Sequence, residues 1–346
     1  MIRISLPRTG DSYGEQGRAL VFYLAMEEYV ADRLDVLLAA AVPEGRQREA
    51  FFIWQVPPTV IFGRNQVMEA EVNLPYCREK GVRLFRRKSG GGCVYADMGN
   101  IMMSYVTDST EVAFTFDRFL QRVVLMLRRA GLDAARSGRN DVLVGGRKVS
   151  GNAFFLRPDR SIVHGTMLFD SDFAELERTI TPSDAKVHSK GVSSVRQHVA
   201  NVRDLLPEDS PLRDIGRFRK YMLDSLCDGE IFLGEDDIAE IERIEASYLE
   251  PSFLEGRNHR YSLERSGRIE GVGEIAVTFG MTGGEIVEVS LSGDFFVVEE
   301  GIEKLLTERL AGCGYDRSAI AAALDGADTE RYVLGLTAER FLTLIN

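Results

Sequence analysis

The hydrophobic pattern divides the chain into short apolar runs and a few longer amphipathic segments. The apolar runs Phe51–Trp54 and Thr59–Phe62 are typical of buried strands, and Ile101–Val106 is predicted to be a further strand. Apolar residues recurring at helical spacing predict helices over Ala19–Ala41 and Phe116–Leu127. Strands and helices do not alternate regularly, so the pattern predicts an α+β fold rather than a parallel α/β sheet.

A composition change near Pro251 marks a predicted domain boundary. A helix predicted over Asp236–Leu249 ends just before this proline. We therefore predict one domain over residues 1–250 and a smaller one over 251–346, both of the α+β class. In the second domain, strands are predicted first and helices after them: Arg260–Glu264, Glu274–Phe279 and Ile286–Leu291, then Glu299–Leu310, Arg317–Leu324 and Ala338–Ile345.

Length and composition narrow the functional classes. A chain of 346 residues exceeds one typical core, which agrees with two domains. The net charge of −11 argues against a general nucleic-acid or membrane-surface binder. The four cysteines are scattered and form no C-x-x-C pair, which favours a reducing compartment. The sequence shows no apolar leader and no apolar run long enough to cross a bilayer, so we predict a cytoplasmic protein.

A basic, glycine-rich segment is the strongest chemical signal. Arg86, Arg87, Lys88 and Ser89 precede Gly90-Gly91-Gly92, and a strand-like run follows. Glycine permits positive φ and close approach of a ligand, and consecutive N–H groups can face an anion. An ordinary tight turn is the alternative, although a turn needs no cations. The segment predicts a site for a phosphate or a carboxylate, but not a Walker loop, because the chain has no Gly-Lys pair.

Lys148 is the second candidate. It follows the Gly145-Gly146 turn of a predicted hairpin and has small neighbours, Ser150 and Gly151. An ammonium in such surroundings can lie beside a phosphate or a polarised carboxyl oxygen. A solvated hairpin lysine is the alternative from spacing alone.

Three further features favour ordinary structural explanations. A lone histidine such as His164 at the start of a strand is more often structural than catalytic. The turn over Lys190–Val195 carries one cation and is typical of a protein surface. The Gly271-Val272-Gly273 sequence lies between strand-like runs and opens no helix, so it is not a dinucleotide-binding motif.

Taken together, these motifs resemble the lipoate–protein ligase family. The family's Arg-Arg-x-Ser-Gly-Gly-Gly block corresponds to the segment from Arg86 to Asn100. Its other blocks, in the family's order, are Gly138–Asp141, Gly146–Ala153, His164–Thr166, Lys190–Val195 and, in the tail, Gly283–Ile286 and Gly293–Phe296. The order and spacing match over roughly residues 11–206, and the tail resembles the family's accessory domain.

The resemblance implies a biotin/lipoate protein ligase-like catalytic domain followed by a smaller α+β accessory domain. Such enzymes activate lipoate with ATP and Mg²⁺ to lipoyl-AMP, then transfer the lipoyl group to a carrier-domain lysine. The carriers implied are 2-oxoacid dehydrogenase E2 subunits and the glycine cleavage H protein, and we expect a monomer. Lys148 would be catalytic, no protein metal ligand is assigned, and the implied nucleotide-binding residues are Arg87, Gly90, Gly91, Gly92, Cys93, Val94, Tyr95, Asn140, Asp141 and Lys148.

Two auxiliary expectations concern how the substrates are held. The lipoyl tail needs an apolar slot, for which Val60, Ile61 and Phe62 are candidates. An acidic carrier domain would need a local positive rim on this acidic chain. The residues proposed for that rim are Arg86, Lys88, Arg139 and Arg147.

Two departures from the family pattern keep alternatives open. Cys93 replaces the usual alanine, and it suggests an ATP-independent octanoyl or lipoyl transferase with a cysteine nucleophile. The more ordinary interpretation of Cys93 is a small buried side chain. Ala96 replaces a family histidine, and it suggests a non-catalytic protein that binds lipoate or a carrier domain. Lys148, Arg87 and the complete glycine segment argue against loss of activity.

Overall fold

A computed structural model describes residues 1–9, 12–13, 18–66, 68–138, 140–180, 198–255, 263–282 and 285–345. The helices are α1 (Leu20–Leu38), α2 (Met68–Glu71), α3 (Leu74–Lys80), α4 (Val112–Arg129), α5 (Phe173–Thr179), α6 (Val202–Leu205), α7 (Ile215–Leu226), α8 (Glu235–Ala246), α9 (Pro251–Glu255), α10 (Ile302–Leu310), α11 (Arg317–Ala323) and α12 (Ala338–Phe341). Short 3₁₀ turns cover Pro211–Arg213 and Leu342–Leu344.

The strands form one large sheet, two three-stranded sheets and a short hairpin within the described residues. They are β1 (Ile2–Ser5), β2 (Arg8–Thr9), β3 (Ser12–Tyr13), β4 (Glu49–Trp54), β5 (Thr59–Phe62), β6 (Arg83–Arg86), β7 (Val94–Ala96), β8 (Asn100–Thr107), β9 (Ala134–Ser137), β10 (Asp141–Val144), β11 (Arg147–Arg157), β12 (Arg160–Leu168), β13 (Gly229–Phe232), β14 (Leu263–Ile269), β15 (Gly273–Thr282) and β16 (Glu285–Gly293).

The large sheet has the order β13-β1-β4-β8-β12-β11-β10-β9 and is covered on both faces. Successive residues of a strand point to opposite faces. Accordingly Phe51 and Ile53 of β4 join the core beside α4 and α7, whereas Phe52 and Trp54 join the core beside α1 and α8. This burial on both faces explains why the strand appears in the sequence as a continuous apolar run.

Helix α1 differs from the predicted amphipathic helix. Its residues from Leu20 to Ala31 are all buried, including Glu27 and Glu28, so it has no solvent-facing stripe there. The helix packs on β4, β8 and β12 of the large sheet and on α8. Buried carboxylates require charged or hydrogen-bonding partners, and both glutamates have them.

A small sheet of order β6-β5-β7 carries the basic, glycine-rich segment. Strand β5 pairs in parallel with β6 and antiparallel with β7. The chain must therefore cross the end of β5 between its two neighbours, and residues 87–93 make that crossing. We call this crossing the glycine loop.

The C-terminal domain has the predicted order of strands followed by helices. Strands β14, β15 and β16 form an antiparallel sheet that packs against α10, α11 and α12 around its own apolar core. The Gly271-Val272-Gly273 sequence makes the turn between β14 and β15, with positive φ at both glycines. No helix in the described part of the chain has the length and apolarity needed to cross a membrane.

Candidate functional site

Arg87 holds the glycine loop together from within. Its side chain is buried, and its guanidinium donates to the carbonyls of Gly90 at 2.7 Å, Gly92 at 2.8 Å and Ile61 at 3.2 Å. Nε also donates to Ser89 Oγ at 2.9 Å. Burial lowers the pKa of Arg87 to about 10, partly offset by Cys93, Asp294 and Glu27. Arg87 therefore shapes the loop through its carbonyl groups.

Arg86 is a second buried structural cation. Its guanidinium donates to the carbonyls of Arg64 at 2.8 Å, Gln66 at 2.7 Å and Leu254 at 3.1 Å, and it lies over the Phe62 ring. Only 4% of Arg86 is exposed, so its predicted place on an exposed positive rim is wrong. Of the other rim residues, Arg147 is exposed, Lys88 is half-buried and paired with Glu28, and Arg139 lies outside the described residues.

Ser89 begins a buried chain of hydrogen bonds. Ser89 Oγ lies 2.6 Å from His164 Nε2, and His164 Nδ1 lies 2.8 Å from Glu27 Oε2. The other oxygen of Glu27 accepts from Ser104 Oγ, which accepts in turn from Trp54 Nε1. This chain fixes the glycine loop to α1 and β12, and it gives His164 the structural partners that its sequence context suggested.

A segment of the C-terminal domain covers the other side of the loop. Gly91 N donates to the Phe295 carbonyl at 3.1 Å, and Gly91 itself has φ of +87°. A Cβ on Gly90 would lie 1.8 Å from the same carbonyl oxygen. The Phe296 ring is 5.2 Å from the ring of Phe154 and belongs to the apolar core formed by the large sheet with α4 and α7. Gly90 and Gly91 must therefore be glycines, because residues 295 and 296 approach their backbone too closely to leave room for a Cβ.

Lys148 lies in β11, where its backbone is paired with Leu143 of β10 on one side and with residues 199–200 on the other. Its Nζ is 2.8 Å from Asp141 Oδ1, and both side chains are about one-third exposed (37% and 31%). The register between β10 and β11 shifts at Val142 and Leu143, because a β-bulge inserts an extra residue beside Lys148. A Cβ on Gly151 would lie 2.8 Å from Lys148 Cε and Nζ. Gly151 therefore leaves room for the ammonium to lie flat across the strand.

Asn140 and Asn152 brace this hairpin. Asn140 Nδ2 donates to the Asn152 carbonyl at 2.6 Å, and Asn152 Nδ2 donates to the Asn140 carbonyl at 3.0 Å. On the neighbouring strand, a Cβ on Gly165 would lie 1.9 Å from Asn152 Oδ1. This contact explains why glycine follows the histidine of β12. The two asparagines hold Asp141 opposite Gly151 in the ladder.

A cavity of about 590 Å³ lies between the two domains beside the glycine loop. Its walls are Lys88 and Ser89 of the loop, residues 154–158 at the end of β11, and residues 297–300 of the C-terminal domain. Val60, Ile61 and Phe62, the expected lipoyl slot, lie instead within two apolar cores.

Comparison with known proteins decides the family. A family model described as the lipoyl protein ligase A/B catalytic domain matches residues 22–226, and one described as the bacterial lipoate protein ligase C-terminus matches residues 258–345. The chain belongs to the lipoate–protein ligase family. Lipoate-protein ligase LplJ of Bacillus subtilis is 35% identical over 331 residues, covering 93% of this chain and 95% of the relative.

Solved structures share the fold of this chain. LipL1 of P. falciparum in complex with lipoate aligns with a TM-score of 0.72 at 19% identity, over 99% of this chain and 97% of LipL1. A lipoate-protein ligase A bound with ATP aligns with a TM-score of 0.58 at 25% identity, over 74% of this chain and 98% of that one. The predicted family and ligase-like α+β fold are confirmed.

The two departures from the family pattern are both accommodated by packing. Cys93 is half-buried and packs on the apolar cluster formed around Val60, Phe62 and Tyr95. Ala96 is fully buried in the core beside α1. Burial raises the pKa of Tyr95, so its hydroxyl keeps its proton.

Several residues that surround the glycine loop escaped the sequence interpretation. Glu27 and Glu28 lie within an apolar helical segment of the sequence. Two adjacent acidic residues in such a segment were the signal that could have identified them. Tyr248 and Phe296 lie far along the chain from the loop they contact. The Lys190–Val195 turn is outside the described residues, and among those described, His, Cys, Asp and Glu form no group of three suited to a metal ion.

Proposed function

We propose that this ligase activates lipoate with ATP and passes the lipoyl group to a lysine of a lipoyl carrier domain. The observation that carries the proposal is the placement of Lys148, which a bulge and Gly151 leave as a cation about one-third exposed (37%) beside Asp141. The relatives named as ligases of lipoate to protein, and the ATP bound to one solved relative, support the same reaction.

In the first step, a lipoate carboxylate oxygen attacks the α-phosphorus of ATP. The bond to the β-phosphate breaks, pyrophosphate leaves and lipoyl-AMP forms. Both reactants are anions, so a cation must offset their repulsion. Lys148 can supply it, because a partly exposed ion pair such as that with Asp141 is weak and is readily exchanged for a ligand.

The nucleotide is proposed to lie against the backbone of Gly92 to Tyr95, with Asn140 and Asp141 nearby. Gly90 and Gly91, also expected to bind it, pack instead against Phe295 and Phe296. The burial of Arg87 refines its role: it holds the loop carbonyls and so orients the loop N–H groups. Mg²⁺ would enter with ATP as part of the substrate, since it commonly binds through substrate phosphates.

In the second step, the neutral ε-amine of a carrier lysine attacks the lipoyl carbonyl carbon. The bond to AMP breaks, AMP departs with its electron pair, and the new amide nitrogen gives up a proton. Lys148 can stabilise the charge that develops on the carbonyl oxygen. AMP is a good leaving group, so the reaction needs no protein nucleophile such as Cys93.

The proposed carriers are the 2-oxoacid dehydrogenase E2 subunits and the glycine cleavage H protein. A monomeric state and a cytoplasmic location complete the proposal. These assignments extend the family resemblance to this chain.

The test is adenylate formation without any carrier. Purified protein with R-lipoate and MgATP should release a stoichiometric burst of pyrophosphate and retain lipoyl-AMP. Lys148→Ala should reduce the burst rate by about a hundredfold or more, comparable to loss of one electrostatic stabiliser. Lys220→Ala, which removes an exposed lysine paired with Asp224, is the matched control and should leave the burst unchanged.

Two outcomes would contradict the proposal. An undiminished burst in Lys148→Ala would remove the role assigned to this lysine. A wild-type protein that gives no burst, yet transfers lipoyl groups from a lipoylated donor protein, would establish the ATP-independent transferase. Cys93→Ala would then test the cysteine nucleophile.

A further inference from the structure

The side chain of Lys88 points in a different direction from those of Arg86 and Arg87. Arg86 and Arg87 bind backbone carbonyls, whereas Lys88 extends away from the loop toward α1 and the end of α8. Lys88 Nζ donates to Glu28 Oε1 at 2.7 Å and lies 4.5 Å from the centre of the Tyr248 ring. The adenylation chemistry described above gives this side chain no role.

Glu28 is the centre of the contact. Only 3% of Glu28 is exposed, and its carboxylate accepts from Lys88, from Tyr248 OH at 2.6 Å and from Arg157 Nη1 at 2.8 Å. Burial and the neighbouring Glu28 raise the pKa of Tyr248, so the tyrosine remains a donor. Charge-assisted hydrogen bonds to a buried carboxylate are among the stronger polar interactions in proteins.

Tyr248 belongs to residues 248–255, which lead from the catalytic domain toward the C-terminal domain and which we call the connecting segment. The Phe253 ring packs edge-on against Tyr248, with ring centres 5.7 Å apart, and the Leu254 carbonyl accepts from Arg86 Nε. Arg86 at the end of β6 and Lys88 in the glycine loop therefore contact the connecting segment at two points, Leu254 and Tyr248.

We propose that Lys88 is a positioning residue that couples the glycine loop to the connecting segment through Glu28 and Tyr248. The inference rests on the proposed function, since it assumes that the loop binds ATP. Without the Lys88–Glu28 contact, the loop would spend less time in the arrangement that binds ATP. The apparent affinity then falls in proportion to the competent fraction.

The experiment compares Lys88→Met, Tyr248→Phe and the double variant with wild type. Lys88→Met should raise the KM for ATP about tenfold and change kcat little, as expected for loss of one charge-assisted bond. The double variant should be less impaired than the product of the single effects, because both side chains act through Glu28. Lys88→Arg, which keeps the charge, should restore most of the affinity, and Lys220→Met is the matched control.

An unchanged KM in Lys88→Met, or fully multiplicative effects in the double variant, would overturn the proposal. Amide hydrogen exchange across the glycine loop provides a readout that needs no reaction. Exchange at residues 88–92 should be faster in Lys88→Met than in Lys220→Met, and equal rates would also refute the coupling. Failure of the proposed ligase reaction is seen separately, as the absence of a pyrophosphate burst in wild type.

Discussion

The close approach of the two domains at the glycine loop makes Gly90→Ala a sensitive perturbation. A Cβ at position 90 would meet the Phe295 carbonyl oxygen at 1.8 Å, whereas 3.4 Å is an ordinary contact. The segment must therefore retreat by about 1.6 Å, the difference between these distances. Such a shift breaks the 3.1 Å hydrogen bond from Gly91 N to Phe295 O.

The energetic consequence can be bounded from these contacts. Loss of one hydrogen bond costs about 1 kcal/mol, and overpacking adds about 1–3 kcal/mol. We expect the free energy of opening of residues 293–298, measured by amide hydrogen exchange, to fall by at least about 2 kcal/mol, which corresponds to exchange that is roughly thirtyfold faster or more.

Gly92→Ala is the matched control within the same loop. A Cβ there would find its nearest neighbour, Asp294 Oδ2, at 3.7 Å, which is an ordinary contact. We therefore expect little change in exchange at residues 293–298 for this variant. Equal protection in Gly90→Ala, Gly92→Ala and wild type would refute the reasoning, because it would mean that the domains do not meet as described.

Two further predictions follow from burial and from the geometry of Lys148. Burial raises the pKa of Cys227 from 9.0 to about 12, so the unfolded thiol loses its proton first as pH rises, and stability is lost between pH 9 and 12. This loss should reach about 1.4 kcal/mol at pH 10 and be absent from Cys227→Ala, as measured by urea denaturation of both proteins at pH 8 and pH 10. An identical pH dependence in the two would contradict the burial argument. Gly151→Ala should displace the Lys148 ammonium, because the added Cβ would lie 2.8 Å from Nζ. The pyrophosphate burst should slow by roughly a hundredfold while the melting temperature stays near that of wild type, and an unaltered burst would count against the assigned position of Lys148.

The sequence by itself determined the long buried strands, the long helices and the chemical motifs, whereas short elements such as α3 and β1 were not predicted. Strands such as β4 and β8 are continuous apolar runs because both faces are buried, and that pattern is local. The glycine loop and Lys148 were also visible, since each depends on residue types at close spacing. Together with motif order, these features were sufficient to predict the family and the α+β fold.

Only the tertiary structure decided which cation faces which partner. The three cations at positions 86–88 are consecutive in sequence but have different partners. Arg86 binds the Leu254 carbonyl of the connecting segment, Arg87 binds carbonyls of the glycine loop, and Lys88 binds Glu28. The bulge beside Lys148 arises from the pairing of β10 with β11. The hydrogen bond from Gly91 to Phe295 joins residues of different domains. Contacts of this kind join side chains and backbone groups from distant parts of the chain, so they cannot be predicted from the local spacing of residues.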